Sequence, residues 1–278
     1  MVYNPIEISN IVESRVTYSK DGKIFRKYYR FRTTKFYGGS ATGDVIGCNL
    51  YCRYCWSLDI NTHLSSTRDI GLYMDPEEAA LRLLDMASRS GFRYIRLSGG
   101  EPTIGFNHVL QLLEYISRLD YSRRIVFILE TNGILIGYRK EYAVELSRFP
   151  FVVARVSLKG CSEDEFSAIT GAGREFYEYQ LKAVKHLFES NVGVAVAITV
   201  SFCRRKSLSA LIERLLRVED SIMDRIELEV VKLYPKVVKR LYKANLLPWI
   251  AIDPRRNILL RGEAVERAIG KRCRESDN

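Results

Sequence analysis

The 278-residue chain predicts an α/β fold, a partial and open (β/α)6 barrel, on three observations. Hydrophobic residues make up 47% of it, enough to bury one large core. From about Gly43, short apolar runs alternate with helical stretches, the rhythm of βα units around a parallel sheet. Six such strand-like runs can be counted, too few for the eight of a closed barrel.

The first forty residues read as extended. In "RVTYSKDGKIFRKYYRFR" a Lys-Asp-Gly-Lys turn divides two partly alternating runs, which predicts a β-hairpin. A strand is expected just before Cys48. Asp75 as cap, Pro76 in the first turn and Glu78 in a capping box then open a helix, with Leu81, Leu84 and Ala87 on one face and Gly91 at its end. Residues 93–98 predict a strand, and "HVLQLLEYISRL" a helix with Val109, Leu112, Leu113 and Ile116 on one side. Further strands are expected at 124–130, 151–157, 192–200 and 225–231, separated by helices near 138–148, 174–190 and 207–217. The divisions are an N-terminal extension at 1–40, the barrel at 41–235 and a basic C-terminal extension at 236–278. No low-complexity segment or internal repeat is visible beyond the βα rhythm.

Lysine and arginine outnumber aspartate and glutamate by 43 to 33, with the excess toward the ends. Lys20, Lys23, Arg26, Lys27, Arg30, Arg32 and Lys35 lie near the start. Lys232, Lys236, Lys239, Arg240, Lys243, Arg255 and Arg256 lie near the end. Such charge suits nucleic acid, an acidic protein, a phosphorylated ligand or a solvated, salt-bridged surface. Tyr28, Tyr29, Phe31, Phe36 and Tyr37 among the first group could stack on RNA bases, although a half-buried hairpin uses the same aromatics. The opening "MVYNPIEISN" has no basic start or apolar run, and no stretch nears the roughly 18 apolar residues of a membrane span. A soluble, cytoplasmic protein is expected.

Six cysteines are too few for a disulfide scaffold at this length, which favours a reducing compartment and a metal. Cys161, Cys203 and Cys273 stand singly and read as structural or incidental. His63, His108 and His186 are isolated and read as surface or helix-end residues. Cys48, Cys52 and Cys55 are different. Within "IGCNLYCRYCW" they offer three soft ligands, which suit zinc or an iron–sulfur cluster. Zinc needs a fourth protein ligand, for which His63 is available; a cubane cluster could leave one iron open. "LSGGEPT", residues 97–103, ends a strand on two glycines that let a ligand approach bare backbone, beside Glu101 as an acceptor for an amine.

With CxxxCxxC after the first barrel strand and GGEP after the second, the chain resembles the radical S-adenosylmethionine (SAM) superfamily over roughly Gly43 to Pro235. The resemblance implies a [4Fe-4S] cluster on Cys48, Cys52 and Cys55, with Tyr54 near the adenine of SAM. SAM itself would be the fourth ligand, its methionyl amine held by the Gly99, Gly100, Glu101 and Pro102 turn. "LETNG" (129–133) and "VSLKGCSEDEFSAITG" (156–171) look like segments of enzymes related to pyruvate formate-lyase activating enzyme. By that likeness Thr131 and Asn132 line the cofactor side, and Ser157 and Lys159 contact the ribose or carboxylate of SAM. Glu130 and Ser157 depart from the aspartates usual there. No ferredoxin-like insertion follows Cys55, and the other cysteines lack the clustering of a SPASM-type extension, so one cluster is expected.

The function implied is reductive cleavage of SAM to a 5′-deoxyadenosyl radical that abstracts hydrogen from a substrate, with ferredoxin or flavodoxin as one-electron donor. A protein-radical activase is favoured by "LETNG" and "SLKG", and an RNA-modifying enzyme by the basic ends. A non-catalytic iron–sulfur regulator is the remaining alternative.

Overall fold

The computed structural model describes residues 2–62, 70–119 and 124–276, with side chains up to Gly270; His63 and the Cys273 side chain lie outside these. The chain opens on a helix, α1 (Pro5–Val16), which corrects the extended reading of the first residues. The Asn4 side chain caps it by accepting from the Ile6 and Glu7 amides, and Pro5 fills the first turn. The hairpin follows as β1 (Thr17–Lys20) and β2 (Lys23–Thr34). Its turn residues Asp21 and Gly22 have φ of 51° and 73°, the two left-handed positions of a type I′ turn.

The remaining elements run β3 (Ser40–Val45), α2 (Leu58–Thr62), β4 (Leu72–Met74), α3 (Pro76–Ser90), β5 (Tyr94–Gly99), α4 (Phe106–Ser117) and β6 (Val126–Thr131). After them come α5 (Ile134–Tyr138), α6 (Glu141–Leu146), β7 (Val152–Leu158), α7 (Glu163–Thr170), α8 (Tyr177–Glu189), β8 (Gly193–Thr199), α9 (Arg205–Leu216) and β9 (Ile226–Glu229). The chain closes with α10 (Pro235–Lys243), β10 (Ile250–Asp253), β11 (Ile258–Arg261) and α11 (Glu263–Ser276). Strands β3, β5, β6, β7, β8 and β9 pair in parallel in that order, giving the six-stranded partial barrel. β2 pairs antiparallel with β3, so the hairpin extends the main sheet, and β4 pairs with β2.

Strand alternation separates two environments. Leu97, Leu129, Ala154 and Val156 face the helices and are buried with Leu112 and Leu113 of α4. Each such side chain contributes about 1.5–3 kcal/mol. The other face turns Asp44, Arg96, Ser98, Glu130, Arg155 and Ser157 toward the barrel interior, where Glu130 meets Arg96, Ser98 and Arg155, and Ser157 meets Glu229. That face carries the chemistry.

Several expectations change. The helix expected near 138–148 is two, α5 and α6, parted at Arg139, which is extended. In α3 the buried stripe is Ala80, Leu83, Leu84 and Ala87, spaced by three or four residues, while Leu81 is exposed. Arg26 and Lys27 are buried rather than displayed: Arg26 donates to the Ile104 carbonyl, and burial pulls its guanidinium down to about 10. Arg30 and Arg32 both pair with buried Asp44. The N-terminal basic run is therefore largely consumed inside the fold. Tyr28 is core, as is His108, which bridges the Tyr28 hydroxyl and the Ile24 carbonyl; burial holds its imidazole down at about 4. A surface reading of His108 is thus wrong.

Cys161 and Cys203 are joined in a disulfide, so of the structural and incidental readings they take the structural one, as a pair rather than singly. It ties the loop after β7 to the turn after β8 across a sequence separation of 42. Nothing local in the sequence signals such a long-range pair. Closing a loop of that length is worth about 4 kcal/mol in the chain-entropy model. Cys161→Ser is therefore expected to lower the urea midpoint, read by circular dichroism under nitrogen, while leaving iron content unchanged. No helix among the described residues is long and apolar enough to cross a membrane.

Candidate active site at the strand ends

β3 delivers the chain into the cysteine loop, where Cys52 is buried and Cys48 and Cys55 are half-buried. Polar groups surround the sulfurs. The Leu50 amide lies 3.4 Å from Cys48 Sγ, Asn132 Nδ2 3.9 Å from the same atom, and Ser57 Oγ 3.4 Å from Cys55 Sγ. Burial pushes the Cys48 thiol well up, reinforced by Glu101, and raises Cys52 to about 12. Without a metal these thiols stay protonated, so loading must release protons.

Three free thiols from one loop, with soft sulfur as the whole donor set, fit an iron–sulfur cluster that leaves one iron open.

The turn after β5 is stitched to this loop by backbone. Gly100 N–H donates to the Val45 carbonyl and Glu101 N–H to the Gly47 carbonyl, each at 2.8 Å. Asn61 adds a side-chain clasp: its Oδ1 accepts from Gly47 N–H at 3.0 Å and its Nδ2 donates to the Gly99 carbonyl at 3.1 Å. Gly99 has φ of 89°, a left-handed position where its missing Cβ also spares Asp44. At Gly100 a Cβ would run into the Gly47 carbonyl oxygen and lie 2.9 Å from that of Val45. The space at Gly100 is thus taken by the cysteine loop itself, not kept for a ligand. Gly100→Val is expected to lose iron as well as SAM binding, measured as iron per chain after anaerobic reconstitution.

Glu101 is also placed differently from the sequence reading. Its buried carboxylate accepts from Thr103 N–H (3.1 Å) and hydroxyl (2.6 Å), the Thr131 hydroxyl (2.7 Å) and Asn132 N–H (2.7 Å). Three of these donors converge on Oε1 and only Asn132 N–H on Oε2, so the carboxylate is a hub that positions others while Oε2 keeps a lone pair. Burial raises its pKa against those bonds. Pro102 is buried behind it. Thr131 is likewise spent, donating to Glu101 and accepting from Gly133 N–H. Asn132 does reach the site: it donates to Asn49 Oδ1 at 2.7 Å with Cys48 beyond.

Across the mouth, Lys159 Nζ lies 2.6 Å from Ser157 Oγ and 5.8 Å from the centre of the Tyr54 ring. Tyr54 stacks on Phe202 and its hydroxyl meets Thr199 Oγ1 at 3.0 Å. Ser157 donates to Glu229. Burial alone would depress the Lys159 ammonium, but Tyr54, Cys52 and Glu229 outweigh it and the net shift is upward. Glu229 moves downward: burial opposes this, and Arg155 and Lys159 overcome it.

Three residues here escaped the sequence reading. Gln180 of α8 is fully buried, donating to the Asn132 and Ser157 carbonyls and accepting from Lys159 N–H. Asn61 sits in a short helix with no motif. Glu229 had a signal: with Glu227 it places two carboxylates on one face of a strand, an inward ionic pattern.

Below the mouth the interior is ionic. Arg155 contacts Glu130, Glu227 and Glu229; Arg96 pairs with Glu130, which also accepts from Ser98. The buried Tyr29 hydroxyl, Thr42 Oγ1 and Arg96 Nε have no hydrogen-bond partner among the described residues.

Residues 45–203, more than half of the chain, match the Radical SAM superfamily. Over 149 residues the chain is 30% identical to the GTP 3′,8-cyclase of Clostridium perfringens, covering 54% of this chain and 42% of that protein. It is 31% identical over 154 residues to the cysteine-type anaerobic sulfatase-maturating enzyme of Clostridium perfringens, covering 49% and 40%. The chain thus spans less than half the length of these relatives. A spore photoproduct lyase variant, solved with AdoMet and a dinucleoside spore photoproduct, shares the fold at a TM-score of 0.54 and 13% identity, over 78% of this chain and 63% of that one. None of these three is an activating enzyme of the pyruvate formate-lyase type. The matched span contains the three-cysteine loop and the Gly-Gly-Glu-Pro turn, and the chain belongs to the radical SAM superfamily, whose enzymes work with a [4Fe-4S] cluster and SAM.

Proposed function

We propose that the protein is a radical SAM enzyme that abstracts hydrogen from a polar, charge-bearing substrate held in the barrel interior. Cys48, Cys52 and Cys55 would hold the cluster, and Gly99, Asn132, Ser157, Lys159 and Tyr54 would face SAM. When bound, these groups supply one-electron reductive cleavage to methionine and a 5′-deoxyadenosyl radical. The chain's own residues do the rest. The Leu50 amide and Asn132 Nδ2 direct hydrogen-bond donors at Cys48 sulfur. Lys159, half-buried beside Ser157, would present a cation for a carboxylate.

The observation that carries the substrate class is the interior wall. Tyr29 hydroxyl, Thr42 Oγ1 and Arg96 Nε are buried without partners in a surface already lined by arginines and carboxylates. The arginines and carboxylates of that wall would pair with charged or polar groups of a substrate, and an apolar one would leave them facing no partner. The finer reading, a protein-radical activase, rests on the "LETNG" and "SLKG" segments, and its substrate would be a polypeptide.

The test is anaerobic incubation of reconstituted protein with SAM and dithionite, adding in turn GTP, RNA and fractionated cell protein. Substrate-dependent 5′-deoxyadenosine identifies the class. Absence of any 5′-deoxyadenosine, with the cluster in place, would remove the enzymatic reading and leave a regulator.

A further inference from the structure

With Arg26 and Lys27 buried and Arg30 and Arg32 paired to Asp44, α10 and its approach carry an exposed row of lysines. The sequence of α10, "PKVVKRLYK", contains no carboxylate. Its Val237, Val238 and Leu241 are buried; Lys236, Lys239 and Lys243, with Lys232 just before it, stand outward in solvent. The helix is fastened to the cysteine loop. Arg240 donates from Nε to the Arg53 carbonyl at 3.3 Å and from Nη2 to the Cys55 carbonyl. Arg240 and Lys236 also pair with Asp59, next to the start of α2. Among the described residues, Asp59 pairs with Lys236 and Arg240 and not with Lys232, Lys239 or Lys243.

We propose that the outer face of α10 (Lys232, Lys239 and Lys243) is the docking surface for an acidic one-electron carrier protein that delivers electrons to the cluster. This rests on the assignment of Cys48, Cys52 and Cys55 above. Electron transfer weakens steeply with distance, so a carrier must seat against the loop that holds the cluster, and α10 is the basic element bonded to that loop's backbone. Redox encounters are small, below about 1,200 Å² in total, a size that one helix and its flanks provide. A row of lysines of one sign steers an acidic partner and lets it leave again, because such contacts act mainly on the rate of encounter. RNA is the rival partner for lysines, but α10 offers it no reason to lie on the cysteine loop.

The experiment compares the cluster-loaded parent with the triple variant Lys232→Glu, Lys239→Glu, Lys243→Glu. All three side chains are exposed, so iron content and the circular dichroism spectrum should match the parent. Binding of an acidic flavodoxin, and separately of an acidic ferredoxin, is measured by titration calorimetry across salt concentrations, with no turnover required. The variant is expected to bind at least one carrier about tenfold or more weakly at low salt, with a flatter salt dependence. Cluster reduction by that carrier should slow in parallel, while reduction by dithionite, which needs no docking, stays unchanged. Equal carrier affinities for parent and variant would overturn the proposal. So would an RNA filter-binding assay in which the variant loses RNA but keeps the carriers. A wrong cluster assignment would show separately, as no iron after reconstitution, while the calorimetry would still read the surface.

Discussion

Replacing Cys48, Cys52 or Cys55 by alanine is expected to reduce iron and sulfide per chain by more than about tenfold, and with them all SAM cleavage. The three sulfurs come from one loop and no fourth thiol is free among the described residues, so each removal leaves two ligands. Two thiolates cannot fix a cluster whose remaining iron is meant for SAM. Cys161→Ser provides the contrast, because that sulfur is committed to Cys203. Iron and sulfide assays with the visible absorption of anaerobically reconstituted protein read the result. Stoichiometric zinc in place of iron would contradict it.

Glu101→Gln should be the most damaging change outside the cysteines. The carboxylate serves four donors, two of them backbone N–H groups of Thr103 and Asn132. With the amide oxygen in the place of Oε1, its NH2 faces Asn132 N–H, which then has no acceptor. A loss of about 1–3 kcal/mol is expected for that buried donor. Since Glu101 sets Asn132 against Cys48, iron should also leave the variant faster when a chelator is added. A urea midpoint and iron-release rate equal to the parent's would show that the hub is dispensable.

The barrel was legible because short apolar runs alternate with helical stretches, and in β7 the run also carries a two-residue period. β7 reads Val152, Val153, Ala154, Arg155, Val156, Ser157, Leu158, and that pattern alone sorts helix-facing from interior side chains. The cysteine spacing and the Gly-Gly-Glu-Pro turn were legible as residues, but their division of labour was not. Gly100 looks like a cradle for ligand until the Gly47 carbonyl is seen in the place of its Cβ. Glu101 looks free until four donors close on it. Such facts depend on segments distant in sequence that no local period records. α1 was hidden for a different reason: its signal is only Asn4 and Pro5, ahead of a stretch with no strong apolar stripe. Gln180 and Asn61 act through single amides, which have no spacing to recognise.

The Cys161–Cys203 bond sets two sulfur chemistries against each other within one chain. A low-potential ferredoxin near −400 mV can in principle also reduce a structural disulfide whose potential lies near −300 mV. Oxygen, which would protect the disulfide, attacks exposed clusters. Only an oxygen-free setting poised above the disulfide's potential favours both at equilibrium. The bond's endurance in a working enzyme becomes a question of access: Cys161 is 3% exposed and packed into the core, which leaves the half-buried Cys203 as the sulfur open to an external thiolate. During synthesis, before that packing exists, the same two thiols are open to any oxidant or iron donor. The order in which this chain is oxidised, folded and loaded with iron thus becomes part of what defines the finished protein.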